Sequence, residues 1–528
     1  MPDFGFVGPS YEAPSIYQDA QECINFYPEI DPLKAEGSRG VVALYPTPGL
    51  VLAHQFDVAA VRGMRALSGG QYLMCVVGNK VYVINNDDDS TLVGELSTFN
   101  GSVSISDNIT AANGLTAYIV DGTARYTWVA FTSTFTQLPG TDGPWLGATV
   151  VDVVDSYNIY NEPGTQNWAA TDLDSSLSTN AYYGTKNGAP DPIVALIADH
   201  RQVYLLGQVT TEVWVDVGNV IPNIISFPFQ RIAGTMMQHG CAAPYSLARF
   251  SEQFMFVSRD NRGQAMIGAI ENYSFKRLST HAVENTLLNQ NVSDAVAYTY
   301  QYEGHEFYVV SFPSIDLTWV YDLASGMWHK WLSTDSFGIY HRHRSNCGAF
   351  FNDKYYVGDF ENGKIYTLEN DVYTEDGATI RRLRRAPHLV TDFQRQYFSE
   401  LQIQFQPGVG TTGLSRPLGV YISSPYIIGF SSFLTITPEE TLILGGSAET
   451  DPSVVTTNPK AMLRWSNDGG STWSSEHWVS IGQLGRYQNR AIWRRLGQAR
   501  DRIFEVSISD PVKAVIVSAN LKSEGADN

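Results

Sequence analysis

The segment Thr318-Trp319-Val320-Tyr321-Asp322-Leu323-Ala324-Ser325-Gly326-Met327-Trp328 decides how the rest of the chain is read. An aromatic and β-branched strand runs into a turn carrying Asp and Gly and returns through Trp, giving a hairpin whose rings need a neighbouring sheet to pack against. Units of this make recur between about residues 60 and 375: residues 71–84 around Gly78-Asn79, 115–128 around Asp121-Gly122, 203–215 around Gly207, 254–267 around Asn261-Arg262-Gly263, 307–331, and 355–368 around Asn362-Gly363. Asn-Gly and Asp-Gly supply the positive φ that tight hairpins require. Small sheets repeated in this way bury their faces only against one another, and a closed ring of them is a β-propeller, here of six or seven blades.

The composition agrees. The chain has 528 residues, too many for one hydrophobic core, so at least two domains or a repeat architecture is expected. Its 29 Tyr, 25 Phe, 11 Trp, 45 Gly and 24 Pro are the profile of short strands joined by turns, and 43% hydrophobic residues exclude global disorder. The sequence is read as all-β.

The propeller is flanked on both sides. Residues 1–55 lack sustained periodicity and are broken by Pro9, Pro14, Pro28, Pro32, Pro46 and Pro48, which suggests an extended N-terminal arm. The propeller is assigned to 56–375, with an insertion near 139–192 where Pro139-Gly140, Gly143-Pro144, Glu162-Pro163-Gly164 and a polar stretch interrupt the rhythm. From 376 to 528 alternating strands suggest a β-sandwich-like domain. Its apolar stretch near 423–444 is broken by Pro425, Gly429 and Pro438, and reads either as a projecting loop needing a protein neighbour or as plain core.

Net charge is −19, which disfavours wrapping nucleic acid or adsorbing to an anionic membrane. The charge is uneven: residues 376–528 hold 16 Lys/Arg against 14 Asp/Glu, leaving 19 against 40 in residues 1–375. Cys23, Cys75, Cys241 and Cys347 lack metal or redox spacing and are expected to be reduced and mostly buried. No basic start followed by an apolar stretch is found, and no run of about 18 uncharged apolar residues suited to a membrane span.

Motifs that carry chemistry are scarce. Ser466-Asn467-Asp468-Gly469-Gly470-Ser471-Thr472-Trp473 matches an Asp box, a pattern common in sialidases. Its chemistry is local, since Ser466 and Asp468 bond turn amides, Gly470 takes positive φ, and Thr472 and Trp473 fix the hairpin. A single box outside the propeller is therefore read as structural. Asp87-Asp88-Asp89 lacks the spaced ligands of a calcium loop and reads as a solvated turn. His341 and His343 fall at i, i+2 on one strand face, better suited to a polar subunit contact than to a metal without a third ligand. Arg381, Arg382, Arg384 and Arg385 form the densest basic run, and pairing with carboxylates of a neighbouring subunit is favoured over phosphate contacts. No phosphate loop, nucleophile elbow or His-Glu-x-x-His pattern is present, so no catalytic, cofactor or metal residue is assigned.

Both chain ends resemble a known family. Asn25-Phe26-Tyr27-Pro28-Glu29 followed by Tyr45-Pro46-Thr47-Pro48-Gly49-Leu50, and near the end 493–502 (Trp-Arg-Arg-Leu-Gly-Gln-Ala-Arg-Asp-Arg) and 506–512 (Val-Ser-Ile-Ser-Asp-Pro-Val), are similar to the packaged-DNA stabilisation proteins, the tail nozzle or tail-accessory components of short-tailed bacteriophages. The resemblance implies a non-enzymatic virion protein, made in the host cytoplasm, with a propeller fold. It implies six copies in a ring below the portal and adaptor, plugged with a tail needle or fibre, through which DNA passes without specific binding. The competing reading is a carbohydrate-active or glycan-binding, sialidase-like propeller, which would need convergent arginines and carboxylates at a blade centre.

Overall fold

A computed structural model describes residues 4–33, 41–178, 182–218, 227–259, 262–391, 394–406, 458–483 and 486–525. Among them six four-stranded antiparallel blades follow one another over residues 61–95, 104–137, 151–185, 193–231, 240–277 and 296–330, the fifth carrying one additional short strand. A seventh is completed from both ends of the propeller: Ser345–Phe351, Lys354–Asp359 and Lys364–Glu369 pair in order, and the outermost strand is Gly49–Gln55 from the N-terminal region. Joining first and last strands in one sheet removes the open edge that a linear array of blades would leave. The ring therefore has seven blades.

The fold-deciding segment does what its residues suggest. Leu317–Asp322 and Met327–Lys330 are the two outer strands of the sixth blade. Trp319 and Trp328 meet edge to face at 6.3 Å and pack with Met255 and Ile267 of the fifth blade.

The described strands from Arg382 onward form, with strands of the N-terminal region, a β-sandwich that is continuous with this blade. Met327–Lys330 pairs in parallel with Ala20–Ile24, which pairs antiparallel with Arg382–Arg385. The sheet continues through Asp501–Ile508, Lys460–Ser466 and His477–Ser480. The facing sheet runs Phe26–Ile30, Val42–Pro46, Ile516–Gly525, Gln396–Phe405 and Ala491–Arg494. Between the two lie Phe6, Leu44, Leu401, Phe504, Val506 and Ile516.

Three expectations about boundaries are corrected. The described residues within 1–55 are not an extended arm apart from the domains: they supply strands to both sandwich sheets and to the seventh blade, and Phe6 is fully buried. Prolines mask this because each lies where a ladder bond is dispensable, as at Pro28 opposite Leu44 and Pro46 opposite Phe26. Residues 139–192 are not an insertion on a blade edge but mostly the third blade, whose Glu162-Pro163-Gly164 is an ordinary inter-strand turn. The propeller assigned to 56–375 is incomplete without Gly49–Gln55. The apolar stretch at 423–444 lies outside the described residues.

Asn25 is the point at which the chain leaves one sandwich sheet for the other. Its φ of 57° is left-handed, a conformation that Asn adopts more readily than most residues with a Cβ. Fully buried, its side-chain amide donates to Leu332 O (2.8 Å) and Arg381 O (2.9 Å) and accepts from Leu332 N (2.8 Å). Asn25→Ala leaves those backbone groups unsatisfied, at about 1–3 kcal/mol each, and strains the turn by about 1–2 kcal/mol. It should lower the urea midpoint strongly. Asn25→Gly, which relieves the turn but not the lost bonds, should lie between the variant and the wild type; an Ala variant as stable as the wild type would contradict this assignment.

Candidate functional site

A cavity of about 300 Å³ sits on the propeller axis, between the innermost strands of the seven blades. Three arginines approach it, and each is already engaged. Arg62 donates to the carbonyls of Gly78 (2.9 Å), Thr98 (2.7 Å), Asn100 (2.8 Å) and Gly101, so its fork is used to tie down turns. Arg65 pairs with Asp107 at 2.8 Å and Arg249 with Asp152 at 2.8 Å. Tyr245 donates to Thr149 O at 3.1 Å and Tyr298 to Ser345 Oγ at 2.8 Å. Guanidinium groups spent on carbonyls and neighbouring carboxylates do not converge on a sugar carboxylate, and burial pushes the hydroxyl pKa of both tyrosines up. The arginines around the axial cavity are thus internally paired.

The charged turns divide between the two faces of the disc. Successive strands alternate in direction, so turns joining first to second and third to fourth strands share one face, and the remaining turns share the other. Cross-blade contacts mark the first face: Arg201 with Asp155 at 2.7 Å, His54 with Asp88 at 3.0 Å, and Asn352 with Asn86 O at 3.2 Å. On it Asp87, Asp89, Asp174, Glu252, Glu303 and Asp353 are exposed and form no ion pair among the described residues. On the opposite face the acids are largely neutralised, as in Lys80 with Asp57, buried Lys186 with Asp191, and Arg344 with Glu361. Among the described residues this face thus carries six exposed carboxylates without an ion pair, beside one exposed unpaired cation, Lys354.

The predicted basic run is not a surface patch. Arg382 and Arg384 are fully buried within the subunit, which corrects their assignment to a contact with another subunit. Strand alternation explains it: Arg382 and Arg384 point to one side of Arg382–Arg385 and Arg381 and Arg385 to the other. Arg384 grips the N-terminal segment by donating to Phe6 O, Pro9 O (2.8 Å), Glu22 O (3.2 Å) and Gln21 Oε1 (2.6 Å). Arg385 does pair with carboxylates, but those of its own chain: Glu22 at 3.0 Å and Glu505 at 2.9 Å. Glu22 also holds Lys330 of the sixth blade at 2.8 Å, and Arg464 meets Glu505 on the far side. Arg381 lies over the Tyr340 ring at 5.5 Å and remains half-buried.

The two histidines separate as well. His341 is partly exposed and bonded to Asp316 at 2.7 Å, which raises its pKa, whereas His343 is buried against Trp331 with ring centroids 3.8 Å apart. Burial pushes the His343 imidazole down to about 3, so it is neutral and is not a subunit contact. Among the described residues no group of His, Cys, Asp and Glu is arranged to hold a metal. In the Asp box, Asp468 accepts from Ser466 Oγ (2.7 Å) and Thr472 N (2.8 Å), and Gly470 N donates to Ser466 Oγ (2.8 Å). Trp473 then lies under the guanidinium groups of Arg385 (5.0 Å) and Arg464 (4.8 Å), joining the box to the charge network. Cys23, Cys75 and Cys241 are buried and Cys347 half-buried, all unpaired.

Sequence reading missed a latch between domains. His305 of the sixth blade bonds Asp322 through Nδ1 at 2.9 Å and Glu29 of the N-terminal strand through Nε2. Its partners lie 17 and 276 residues away, so no local pattern signals it.

These features define a structural class: a closed propeller welded to a sandwich, with its polar centres spent on holding the chain together. The family described as bacteriophage P22 Gp10, beta-propeller, matches residues 21–373, and bacteriophage P22 Gp10, beta-sandwich, matches 442–524. The chain belongs to this family of phage tail structural proteins, which are virion components. No curated protein matches it in sequence. Similar solved structures include the WD40 β-propeller domain of Doa1, at 12% identity and TM-score 0.38, covering 61% of this chain and 98% of that one. The N-terminal domain of Nup159 is similar at 9% identity and TM-score 0.38, covering 66% and 98%.

Burial lowers the His305 pKa and its two carboxylate partners raise it, with a net rise. A raised folded-state pKa stabilises fully below the unfolded value of about 6.5, and that stabilisation is lost as pH climbs through the folded value. Buried His329 and His343 are pushed the other way, to about 4 and about 3, and act on the acid limb. The melting-temperature difference between wild type and His305→Gln should therefore be largest near pH 6 and shrink by pH 9. A difference that grows with pH would refute the latch.

Proposed function

We propose that the chain is a subunit of a tail nozzle ring that retains packaged phage DNA and conducts it during ejection, with the acidic propeller face turned toward the DNA path. The observation that carries the reading is the gathering of unpaired carboxylates on one face of a protein of this family. Phosphates moving past such a wall are repelled within about a Debye length, roughly 8–10 Å, so DNA slides without adhering. The propeller's own axis does not serve as the conduit. Its cavity of about 300 Å³ is lined by Arg62, Arg65, Arg249, Tyr245 and Tyr298, while duplex DNA has a major groove alone about 12 Å wide. The bore lies between copies, six to a ring as the resemblance implies, and the ring docks on the portal and adaptor with a tail needle or fibre beyond. The role is mechanical and non-enzymatic, performed in the virion after synthesis in the host cytoplasm. The engaged axial arginines give no support to the glycan reading.

Purified protein mixed with its portal and adaptor should form a ring docked at the vertex in negative stain; a monomer that leaves the vertex bare would overturn the proposal. In assembled tails, the combined substitutions Asp87→Lys, Asp89→Lys, Glu252→Lys and Glu303→Lys should slow DNA release several-fold at low salt, with recovery at high salt. Release unchanged at every ionic strength would remove the acidic wall from the account.

A further inference from the structure

The sandwich ends in a cluster that neither the fold nor the acidic face uses. Counting outward from the sixth blade, His477–Ser480 is the last strand of its sheet, roughly 24 Å beyond Met327–Lys330 at the usual strand spacing. Ala491–Arg494 is the last strand of the facing sheet, and the two edges are fastened together by Trp493 Nε1 donating to His477 O (2.8 Å) and Asn489 Nδ2 donating to Ser480 O (2.8 Å). On this tip Trp478 is 55% exposed and Tyr487 72%. Arg486 and Arg490 are exposed beside them and form no ion pair among the described residues. Residues 477–500 hold five arginines and no Asp or Glu. Charge alone would be ordinary protection of a sheet edge, but protection does not explain two large rings left in water. Trp, Tyr and Arg together are the residues that carry binding energy at protein interfaces.

A surface to receive the tip lies on the rim of the third blade. Tyr183, on the outer strand Tyr183–Thr185, is 52% exposed, with its ring 5.9 Å from that of Trp145. Tyr182 and Leu146 are exposed next to these two. The loop bearing exposed Leu177 is held to the same connector, where Gly143 N donates to Ser178 O (2.9 Å) and Ser178 N to Asp142 Oδ1 (2.8 Å). An acid flanks the patch: Glu162 Oε2 accepts from Asn167 Nδ2 (2.8 Å), whose amide oxygen accepts from Thr185 Oγ1 (2.9 Å), and Glu162 forms no ion pair among the described residues.

We propose that the sandwich tip of one copy seats on the third-blade rim of a second copy of this chain, Trp478 and Tyr487 against Leu146, Leu177, Tyr182 and Tyr183, with the tip arginines toward Glu162. The contact rests on the reading of the chain as a ring subunit and supplies its joint. Charge favours it, since the tip is purely basic and residues 1–375 hold 40 Asp/Glu against 19 Lys/Arg. Position favours it as well. The sandwich continues the sixth blade, and the third stands three places away in a ring of seven, so tip and rim lie on opposite sides of the subunit. Complementary surfaces so placed join head to tail, and the copies close into a ring when the rotation allows. A rim contact leaves the turns bearing Asp87, Asp89, Glu252 and Glu303 uncovered.

The whole chain carrying Tyr487→Cys and Tyr183→Cys, assembled with its portal and adaptor, tests the contact. A short bis-maleimide should join the copies into a ladder on a denaturing gel that ends at the full ring, while either single variant and the wild type, with their native cysteines, should give none. A docked ring without the ladder overturns the contact and leaves the ring reading standing; a wild-type chain that forms no ring overturns both. Independently, Trp478→Ala combined with Arg490→Glu should melt with the wild type, because both side chains are exposed. It should nevertheless lower the share of vertices bearing a ring by about ten-fold or more. Rings at wild-type occupancy would refute the contact, and such rings failing to hold DNA would assign the arginines to phosphate instead.

Discussion

Residues 20–30 belong to two sheets at once, and the rest of the architecture depends on that crossing. Ala20–Ile24 lies between the outer strand of the sixth blade and Arg382–Arg385, while Phe26–Ile30 lies at the edge of the facing sheet. Asn25 makes the switch, and Arg384 and the chain of charges from Lys330 through Glu22, Arg385 and Glu505 to Arg464 fix what passes on either side. Removing one partner of such a buried set costs about 3–5 kcal/mol because the other charge is left uncompensated. The network therefore specifies one way for propeller and sandwich to sit, and the chain behaves as one wedge.

That rigidity bears on the proposed role. A ring subunit that resists DNA under pressure cannot let its two domains hinge, and the continuous sheet from residue 296 to the sandwich offers no linker to bend. The strand Gly49–Gln55 closing the seventh blade adds a second tie, since pulling the N-terminal segment free would open both domains together. Stiffness and exposed negative charge are separated in space: cations and carboxylates are matched at the junction, whereas Asp87, Asp89, Asp174, Glu252, Glu303 and Asp353 stand exposed and unpaired on one propeller face.

Local patterns were legible and distant ones were not. The hairpins around Gly78-Asn79 and Asp121-Gly122, the Trp319 and Trp328 packing, and the Asp box all rest on residues within a few positions of each other, so the sequence displays their physics openly. The third blade was hidden because its turns are rich in Pro, Gly and polar residues, which is also what an insertion looks like. The N-terminal strands were hidden because their partners lie several hundred residues away. Arg381 to Arg385 misled for a related reason: a run of charge suggests a surface, but strand alternation sends Arg382 and Arg384 inward, and only the fold reveals the backbone carbonyls that await Arg384. The same blindness applied to His305, whose second carboxylate, Glu29, comes from an N-terminal strand of the sandwich 276 residues away.

We propose that one face of a rigid propeller is kept acidic because DNA passes it. A cryo-electron microscopy map of the assembled tail holding DNA, at a resolution that orients each propeller, tests it most directly. The account predicts the turns bearing Asp87, Asp174, Glu252 and Glu303 on the side of the bore, separated from the DNA by solvent. The opposite face toward the bore, or basic side chains seated against the phosphates, would contradict it.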